Sequence, residues 1–319
     1  MNTPLQLLVR VAARREEAEG IVSFALAALD GAALPAFSAG AHIDVEVRPG
    51  LVRQYSLCNH PSEQHRYLIA VLHTPDSRGG SRGMHESVRL GDTVRISAPK
   101  NHFELQPASR YLLLAGGIGV TPILCMAERL AETGAGFAMH YSCRSPERAA
   151  FRERIRDAAF AERVAFRFDS EGERCDLKAI LASEGPGTHL YVCGPPGFID
   201  AVTGAAQDLG WERSRVHLEY FAAPPSGTQA NGPFEVRIAS SGRTIAIPAD
   251  QSVLGVLQAH GIEIPASCEQ GVCGTCLTRV LDGVPEHRDS YLTDEERAAN
   301  DQFTPCCSRA RSSTLVLDL

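Results

Sequence analysis

Four cysteines near the C-terminus have the residue type and spacing that point most directly to chemistry. Cys268, Cys273 and Cys276 form a C-x4-C-x2-C run, and Cys306 lies further along the chain. Three thiolates from one loop and a distant fourth are the ligand set of a plant-type [2Fe–2S] cluster. Because such a cluster carries one electron at a time, the spacing predicts an electron-transfer protein.

Disulfide bonds and structural zinc are the alternative interpretations of these cysteines. The chain has ten cysteines, but no apolar signal segment opens it, and the other cysteines are scattered as free thiols of the cytoplasm are. Zinc sites usually combine two short ligand pairs, whereas only Cys273 and Cys276 form one here. Gly271 and Gly274 would let the loop curl around sulfur atoms and direct N–H groups at them. We therefore expect a cluster in a cytoplasmic protein.

Size and composition exclude several other classes of protein. A chain of 319 residues suits two or three domains. No apolar run approaches the length of a membrane span, so we expect no membrane partner. The net charge of −7 argues against a nucleic-acid-binding surface.

Changes of pattern along the chain predict three domains and one linker. Residues 1–106 read as short alternating strands and predict an antiparallel β-barrel. Residues 107–223 alternate strands with helices and predict a parallel α/β sheet. Residues 224–232 are rich in Pro, Gly and Ser and predict a flexible linker. Residues 233–319 carry the cysteines on an α+β domain.

Specific elements follow from periodicity and from capping residues. Ser252 and Thr293 are expected to cap helices in the last domain. The other predicted helices cover 84–90 and 121–132. The predicted strands cover 42–47, 52–57, 67–72, 93–97, 111–115, 137–142, 164–168, 190–193, 216–219, 234–238, 244–247 and 314–317.

One barrel strand carries Arg53, Tyr55 and Ser56. These side chains offer charge for a phosphate, a face for ring stacking and a short hydrogen bond. A surface Arg and a half-buried Tyr are common on strands, so this motif alone is weak.

A glycine-rich segment, Gly79, Gly80 and Ser81, precedes the first predicted helix. Glycines there let backbone N–H groups approach an anion, and Arg78 and Arg82 could add charge. A simple Gly-rich turn is the alternative. Beside the Arg53 motif, a phosphate site is the favoured interpretation.

Two segments of the parallel sheet could hold a dinucleotide. Gly117 lies in the turn after the first strand, where we expect Thr121 to cap the following helix. Cys193, Gly194 and Pro195 end a later strand, at the sheet edge where ligands bind. A buried core cysteine is the alternative for Cys193.

Asp169 closes another strand of this sheet. A carboxylate there suits a ribose 2′-hydroxyl and would repel a 2′-phosphate, which favours NADH over NADPH. Because Arg144 and Arg174 carry positive charge, the sequence does not exclude NADPH as the cofactor.

The whole chain resembles the family of phthalate dioxygenase reductases and vanillate O-demethylase reductase subunits, within the ferredoxin–NADP reductase superfamily. The resemblance rests on R-x-Y-S at 53–56, G-G-x-G-x-T-P at 116–122, C-G-P at 193–195 and the C-terminal cysteines. It implies an FMN-binding barrel, an NADH-binding parallel sheet and a β-grasp ferredoxin domain.

The resemblance also implies roles for single residues. Arg53 and Tyr55 would hold the flavin, and Ser56 would lie near its reactive nitrogen. Cys193 would lie beside the nicotinamide with Gly194 and Pro195, which makes Ser56 and Cys193 the catalytic candidates. The aromatic Phe221 would cover the flavin ring, with ordinary interdomain packing as the alternative.

The fourth cluster ligand is Cys306 or its neighbour Cys307. In an extended segment adjacent side chains point to opposite faces, so only one can reach the cluster. The last ligand of ferredoxin domains is followed by a small apolar residue. That resemblance favours Cys306.

The function that the resemblance implies is reduction of a terminal oxygenase, expected to be of the Rieske type. Hydride would pass from NADH to FMN, and single electrons would then pass through the [2Fe–2S] cluster to the oxygenase. A reductase for a haem monooxygenase or a soluble carrier is one alternative, and a non-enzymatic iron–sulfur carrier is another.

Overall fold

The computed structural model of the chain describes residues 7–75, 79–173, 175–221, 232–266, 268–272 and 274–319. The chain divides into two compact units, with the division between Phe221 and Ala222. The predicted linker lies outside the described residues except for Gly232. The predicted boundary between residues 106 and 107 lies inside the first unit and stays a prediction.

Antiparallel strands form the first sheet of the N-terminal unit, as predicted. Its strands follow the order β4-β3-β6-β1-β2-β5, β7 pairs with β3, and the end strands β4 and β5 also contact each other. Alternation along β3 sends Ile43, Val45 and Val47 into the barrel core. The elements are β1 (Leu7–Ala18), β2 (Ile21–Ala28), β3 (Ala41–Arg48), β4 (Leu51–Ser56), β5 (Tyr67–Leu72), α1 (Gly80–Glu86), β6 (Thr93–Ile96) and β7 (Lys100–Asn101).

The first helix begins earlier than predicted. It starts at Gly80 and ends at Glu86, although glycine and serine are poor helix formers. A Cβ at Gly83 would lie 2.5 Å from Cγ1 of Val47, so the helix packs against β3 at a distance that only glycine allows. Packing therefore overrides propensity at this position.

Five parallel strands form the second sheet of this unit, in the order β10-β9-β8-β11-β12. The order reverses between β8 and β11, and ligands bind at such a point beyond the carboxyl ends of the strands. Its elements are β8 (Arg110–Gly116), α2 (Val120–Glu132), β9 (Phe137–Cys143), α3 (Arg152–Arg156), β10 (Val164–Phe168), α4 (Leu177–Ala182), β11 (Thr188–Gly194), α5 (Pro196–Asp208) and β12 (Val216–Tyr220).

Barrel and parallel sheet share one hydrophobic core. Ile21 and Phe103 from the barrel side pack in the same cluster as Leu113 and Tyr191 from the parallel sheet. The Tyr191 hydroxyl also accepts a hydrogen bond from the Gln106 N–H at 2.6 Å. This packing fixes the carboxyl edge of the parallel sheet relative to the barrel.

The C-terminal unit has the β-grasp arrangement, in which the first strand β13 pairs in parallel with the last strand β19. Both predicted helix caps are present, since Ser252 accepts the Gly255 N–H and Thr293 forms a capping box with Glu296. The elements are β13 (Phe234–Ile238), β14 (Thr244–Ile247), α6 (Val253–Ala259), β15 (Thr278–Asp282), β16 (Pro285–Glu286), α7 (Asp294–Ala299), β17 (Gln302–Phe303), β18 (Arg309–Ala310) and β19 (Thr314–Leu317).

Helices of the described residues are all too short or too polar to cross a membrane.

Replacing Gly119 by Ala should destabilise the N-terminal unit. A Cβ there would lie 2.2 Å from the Cys193 carbonyl oxygen, and backbone atoms cannot move aside as a side chain can. We expect a loss of about 1–3 kcal/mol in the free energy of unfolding, the usual cost of overpacking. Chemical denaturation measures it.

The matched control is Gly204→Ala in α5, where a Cβ would have no atom within 4 Å. Alanine is the better helix former, so this variant should gain up to about 1 kcal/mol. Equal stability of the two variants would contradict the close approach at Gly119.

Candidate functional site

Strand β4 of the barrel meets the carboxyl edge of the parallel sheet at Ser56 and Glu219. The Ser56 hydroxyl donates to Oε2 of Glu219 over 3.5 Å. Glu219 lies near the end of β12 and is the register partner of Cys193 on β11. The two predicted catalytic residues, Ser56 and Cys193, are thus brought to one place, with Glu219 between them.

Burial sets the charge state of these groups. It raises the pKa of Glu219 to about 8, although the Ser56 hydrogen bond works in the opposite direction. Burial also raises the pKa of the Cys193 thiol well above its usual value, and neighbouring Glu219 adds to this. Both groups are therefore uncharged at neutral pH, and Cys193 is no thiolate nucleophile.

Glu219 is a site residue that the sequence analysis did not predict. In this segment only Phe221 was assigned a role. The available signal was a carboxylate near the end of a parallel strand, where ligands bind. Its partnership with Ser56 depends on the packing of two sheets, which no local pattern contains.

Arg53, Gly79 and Gly80 lie together at the start of α1, as the phosphate prediction requires. A Cβ at Gly80 would lie 2.7 Å from Cγ of Arg53, so the arginine stem fills the space that a larger residue would need. Gly79 has a φ of 90°, and a Cβ there would lie 3.4 Å from Nη2 of Arg48. Arg48 is therefore a second basic group of this cradle, which no sequence motif indicated.

The predicted flavin-site residues Ser81, Tyr55 and Phe221 differ in burial and in their contacts. The Ser81 hydroxyl accepts the Thr74 N–H at 3.2 Å, so it ties the start of α1 to Thr74. Tyr55 is half-buried and packs against the barrel core. Phe221 is 38% exposed, more than ordinary core packing would leave. Arg78 lies outside the described residues.

The predicted dinucleotide edge is built from close backbone contacts. A Cβ at Gly194 would lie 3.0 Å from Cα of Gly116 and 2.9 Å from the Phe198 ring. Gly117 has a φ of 52°, and Pro195 precedes α5 in an extended conformation. Phe198 and Pro195 therefore pack directly against the glycines where β8 and β11 end.

The expected role of Thr121 as a helix cap is wrong. Helix α2 begins at Val120 after Gly119, and no side chain caps it. The Thr121 hydroxyl donates to the Ile118 carbonyl at 3.0 Å, and its side chain is buried. A 3-10 turn over Gly117–Gly119 moves the start of the helix toward the strand.

Asp169 lies exposed directly after β10, at the same carboxyl edge. The Ser170 N–H donates to the Arg144 carbonyl at 2.9 Å, which brings the ends of β9 and β10 together. This placement suits the predicted ribose contact. Arg174 lies outside the described residues.

The cysteine loop of the C-terminal unit is folded tightly. Gly271 and Gly274 have φ values of 73° and 66°, and the Gln270 N–H donates to Sγ of Cys268 at 3.3 Å. A Cβ at Gly274 would lie 2.2 Å from the Tyr291 ring, so only glycine fits. Glycine turns and an N–H···S bond are both features that a cluster loop requires.

Cys306 and Cys307 contact each other and both lie close to the cysteine loop. Hydrogen bonding with the thiols of Cys276 and Cys307 raises the pKa of Cys306. A Cβ at Gly271 would come close to Sγ of Cys307. The Cys307 thiol lies 3.3 Å from Oγ1 of Thr304. Cys273 lies outside the described residues, and within those that are described no three metal-binding side chains form a complete site.

Comparisons with known proteins cover nearly the whole chain. The family model of the 2Fe-2S iron-sulfur cluster binding domain matches residues 236–311. That of the N-terminal domain of dimethylamine monooxygenase subunit DmmA-like proteins matches residues 97–216. The vanillate O-demethylase oxidoreductase of Pseudomonas putida is 58% identical over 97% of this chain and 98% of its own length.

Two solved structures are also similar. Phthalate dioxygenase reductase, described as modular for electron transfer from pyridine nucleotides to [2Fe–2S], has a TM-score of 0.78 and 38% identity over 98% of each chain. An intact type IV self-sufficient cytochrome P450 monooxygenase has a TM-score of 0.83 and 38% identity. That match covers 98% of this chain but only 41% of the longer P450 chain.

Replacing Glu219 by Gln should remove a pH dependence from stability. Between pH 4.5 and about 8 the folded protein keeps a proton on Glu219 that the unfolded chain has lost. Wild-type protein should therefore lose stability relative to Glu219→Gln as the pH rises through this window. The slope is at most about 1.4 kcal/mol per pH unit. Chemical unfolding of FMN-free protein at several pH values measures it.

Ser56→Ala is the control for this experiment. It removes the hydrogen bond that lowers the pKa of Glu219, so the window should extend to higher pH. A constant difference between wild type and Glu219→Gln across the whole range would mean that Glu219 ionises as an exposed carboxyl does.

Proposed function

This chain belongs to the family of vanillate O-demethylase and phthalate dioxygenase reductases, and we propose that it reduces a terminal oxygenase of the Rieske type with electrons from NADH. The observation that carries the proposal is the meeting of Ser56, Cys193 and Glu219 where barrel and parallel sheet join. A non-enzymatic electron carrier would not need such a site. The final substrate would contact the oxygenase, so no residue of this chain selects it.

FMN fits the barrel side of this site. The stem of Arg53 packs against Gly80 and the guanidinium group of Arg48 lies beside Gly79, and the two positive charges would suit a phosphate. Tyr55 offers a ring face on the same strand as Arg53, and Phe221 offers a second, partly exposed ring. These residues would hold FMN.

NADH fits the edge formed by Gly117, Gly194 and Pro195. They lie where the strand order reverses, beyond the carboxyl ends of β8 and β11, which is where such sheets bind dinucleotides. Asp169 would accept a hydrogen bond from the ribose 2′-hydroxyl and would repel a 2′-phosphate. We therefore propose NADH as the preferred donor.

A [2Fe–2S] cluster fits the cysteine loop of the C-terminal unit, where the iron–sulfur family model matches. Cys276 and Cys306 already lie in contact, and the Gln270 N–H reaches a sulfur atom of the loop. We propose Cys268, Cys273, Cys276 and Cys306 as ligands.

When bound, FMN would supply a hydride acceptor that can release electrons singly, and a [2Fe–2S] cluster would supply a one-electron carrier. The chain supplies position and a neutral environment for this chemistry. Ser56 offers a hydroxyl at the barrel edge, and Glu219 fixes its orientation while staying protonated. Cys193 stays an uncharged thiol near the end of β11, so it fills space beside the nicotinamide position without attracting water.

A haem monooxygenase is the second candidate partner. The specific observation is that nearly all of this chain is similar to part of a self-sufficient P450 chain. The same arrangement of domains is therefore also found joined to a P450 monooxygenase.

NADH should bleach two chromophores in the purified protein. We expect a flavin spectrum overlaid with iron–sulfur absorbance, and both should decrease when NADH is added without oxygen. Ferricyanide should then reoxidise the protein catalytically. Colourless protein that contains only zinc, or a flavin that NADH leaves oxidised, would refute the proposal.

Reconstitution with each candidate acceptor distinguishes a Rieske oxygenase from a haem monooxygenase as the partner. A purified Rieske oxygenase should turn over with this chain and NADH, and a haem monooxygenase should receive electrons about tenfold more slowly, because complementary surfaces speed association. The reverse order would favour the second candidate.

Cys306→Ser should lose the cluster, and Cys307→Ser should keep it. The two variants make the same chemical change at adjacent positions, so each is the control for the other. Iron and acid-labile sulfide per chain measure the outcome. A full cluster in Cys306→Ser together with its loss in Cys307→Ser would reverse the assignment.

A further inference from the structure

A buried carboxyl group packs against the cysteine loop of the C-terminal unit. Asp289 lies between β16 and α7, and its side chain is fully buried. A Cβ at Gly271 would lie 2.9 Å from Cα of Asp289 and would also come close to Sγ of Cys307. The neighbouring Ser290 N–H donates to the Gly271 carbonyl at 2.9 Å. Asp289 therefore borders the loop that contains three of the proposed cluster ligands.

Hydrogen-bond donors surround both oxygen atoms of this carboxyl group. Oδ2 accepts the Tyr291 N–H at 3.1 Å and the Leu292 N–H at 2.8 Å. The Ser308 hydroxyl donates to Oδ1 at 3.4 Å. An ionised carboxylate, which only accepts hydrogen bonds, matches all three contacts. Asp289 thus places a negative charge in the interior of the unit and holds the turn that leads into α7.

Nearby positive charge neutralises Asp289 only in part. Nη2 of Arg297 on α7 lies 3.9 Å from Oδ2 and donates instead to the Asp289 carbonyl oxygen at 2.6 Å. The guanidinium group of Arg288 binds the Glu286 carboxylate through Nη2 at 2.9 Å and Nε at 3.1 Å. Nδ1 of His287 lies 3.7 Å from Oδ1, and burial lowers the pKa of His287, which favours the neutral ring. Negative charge therefore remains beside the cysteine loop.

The same carboxylate also reaches the segment that contains the fourth proposed ligand. Ser308, which donates to Oδ1, lies two residues after Cys306. The Ser308 N–H donates to the Thr304 carbonyl at 2.9 Å, and its hydroxyl lies 3.0 Å from Oγ1 of Thr304. Asp289 and Ser290 thus connect the two parts of the chain that must converge on a cluster.

We propose that Asp289 is a positioning residue of the [2Fe–2S] site and that its negative charge makes the cluster harder to reduce. Reduction adds one electron, and therefore one negative charge, which a neighbouring carboxylate repels. Burial limits the screening of this repulsion by water and salt. A cluster that holds its electron weakly passes it more readily to an external acceptor. The inference rests on the proposed function, because it requires the cluster proposed for the cysteine loop.

Asparagine in place of Asp289 separates the two roles. Both backbone N–H groups donate to the same oxygen atom, Oδ2, so an amide oxygen in that position retains them. The amide NH2 group then occupies the position of Oδ1 and can donate to the Ser308 hydroxyl, which can itself donate to Thr304. Asp289→Asn therefore keeps the shape of the turn and removes the charge, whereas Asp289→Ala removes both.

Redox titration of the full-length holoprotein without oxygen measures the charge effect, with the EPR signal of the reduced cluster as the readout. In Asp289→Asn the equilibrium constant for cluster reduction should rise about tenfold, which is about 59 mV for one electron. In Arg297→Gln, which removes a positive charge, it should fall about threefold, because this side chain is 32% exposed and better screened. Loss of packing alone gives no reason for shifts in opposite directions.

Asp318→Asn is the matched control for the titration. Asp318 belongs to the same unit and pairs with Arg279 at 3.8 Å, but its side chain is 53% exposed. Because solvent screens this carboxylate, the same chemical change should leave the equilibrium constant within about twofold of wild type.

Iron and acid-labile sulfide per chain measure the positioning role. Asp289→Asn should retain the wild-type content, because the turn keeps its hydrogen bonds. Asp289→Ala should lose more than about half of it, since residues behind metal ligands strongly affect how tightly the metal is held.

The outcomes separate this inference from the proposed function. Wild-type protein without iron and sulfide would refute the proposed function, and the inference would fall with it. If wild type holds the cluster, an unchanged potential in Asp289→Asn, or an equal shift in Asp318→Asn, overturns the charge effect. A full cluster in Asp289→Ala overturns the positioning role. If Asp289→Asn lost its cluster, Arg297→Gln would decide the charge effect: a lower potential supports it, and an unchanged or higher one overturns it.

Discussion

The packing of the barrel against the carboxyl edge of the parallel sheet is the constraint on which the proposed site depends. One hydrophobic core joins them, with Phe103 and Tyr191 in the same cluster. Ser56 and Glu219 come from strands far apart in sequence and meet only because this core holds the two sheets together. A shift of either sheet would separate the hydroxyl from the carboxyl group and expose the carboxyl group to water.

Exclusion of water explains the charge states at the site. Glu219 and Cys193 both have pKa values displaced by burial toward the neutral form. Uncharged side chains suit a site for hydride transfer, because a fixed charge would stabilise one redox state of the cofactor over the other.

The sequence predicted what local patterns encode. Strands such as Val164–Phe168 and Thr314–Leu317 have the predicted bounds, because alternating or continuous apolar residues specify them. Cysteine spacing predicted the iron–sulfur domain, because three of the proposed ligands lie within nine residues of the sequence. Helix α1 was misplaced because contact between Gly83 and Val47 outweighs helix propensity. Glu219 and Arg48 were missed as site residues because register and packing, rather than neighbours in sequence, place them there.

A crystal structure of the FMN-loaded protein with NAD⁺ would decide whether barrel and parallel sheet form one site. We expect a flavin whose ring packs against Tyr55, with its reactive edge at the Ser56 hydroxyl and the nicotinamide beside Cys193 and Glu219. A flavin bound away from Ser56, or a nicotinamide away from the edge where β8 and β11 end, would contradict the proposed site.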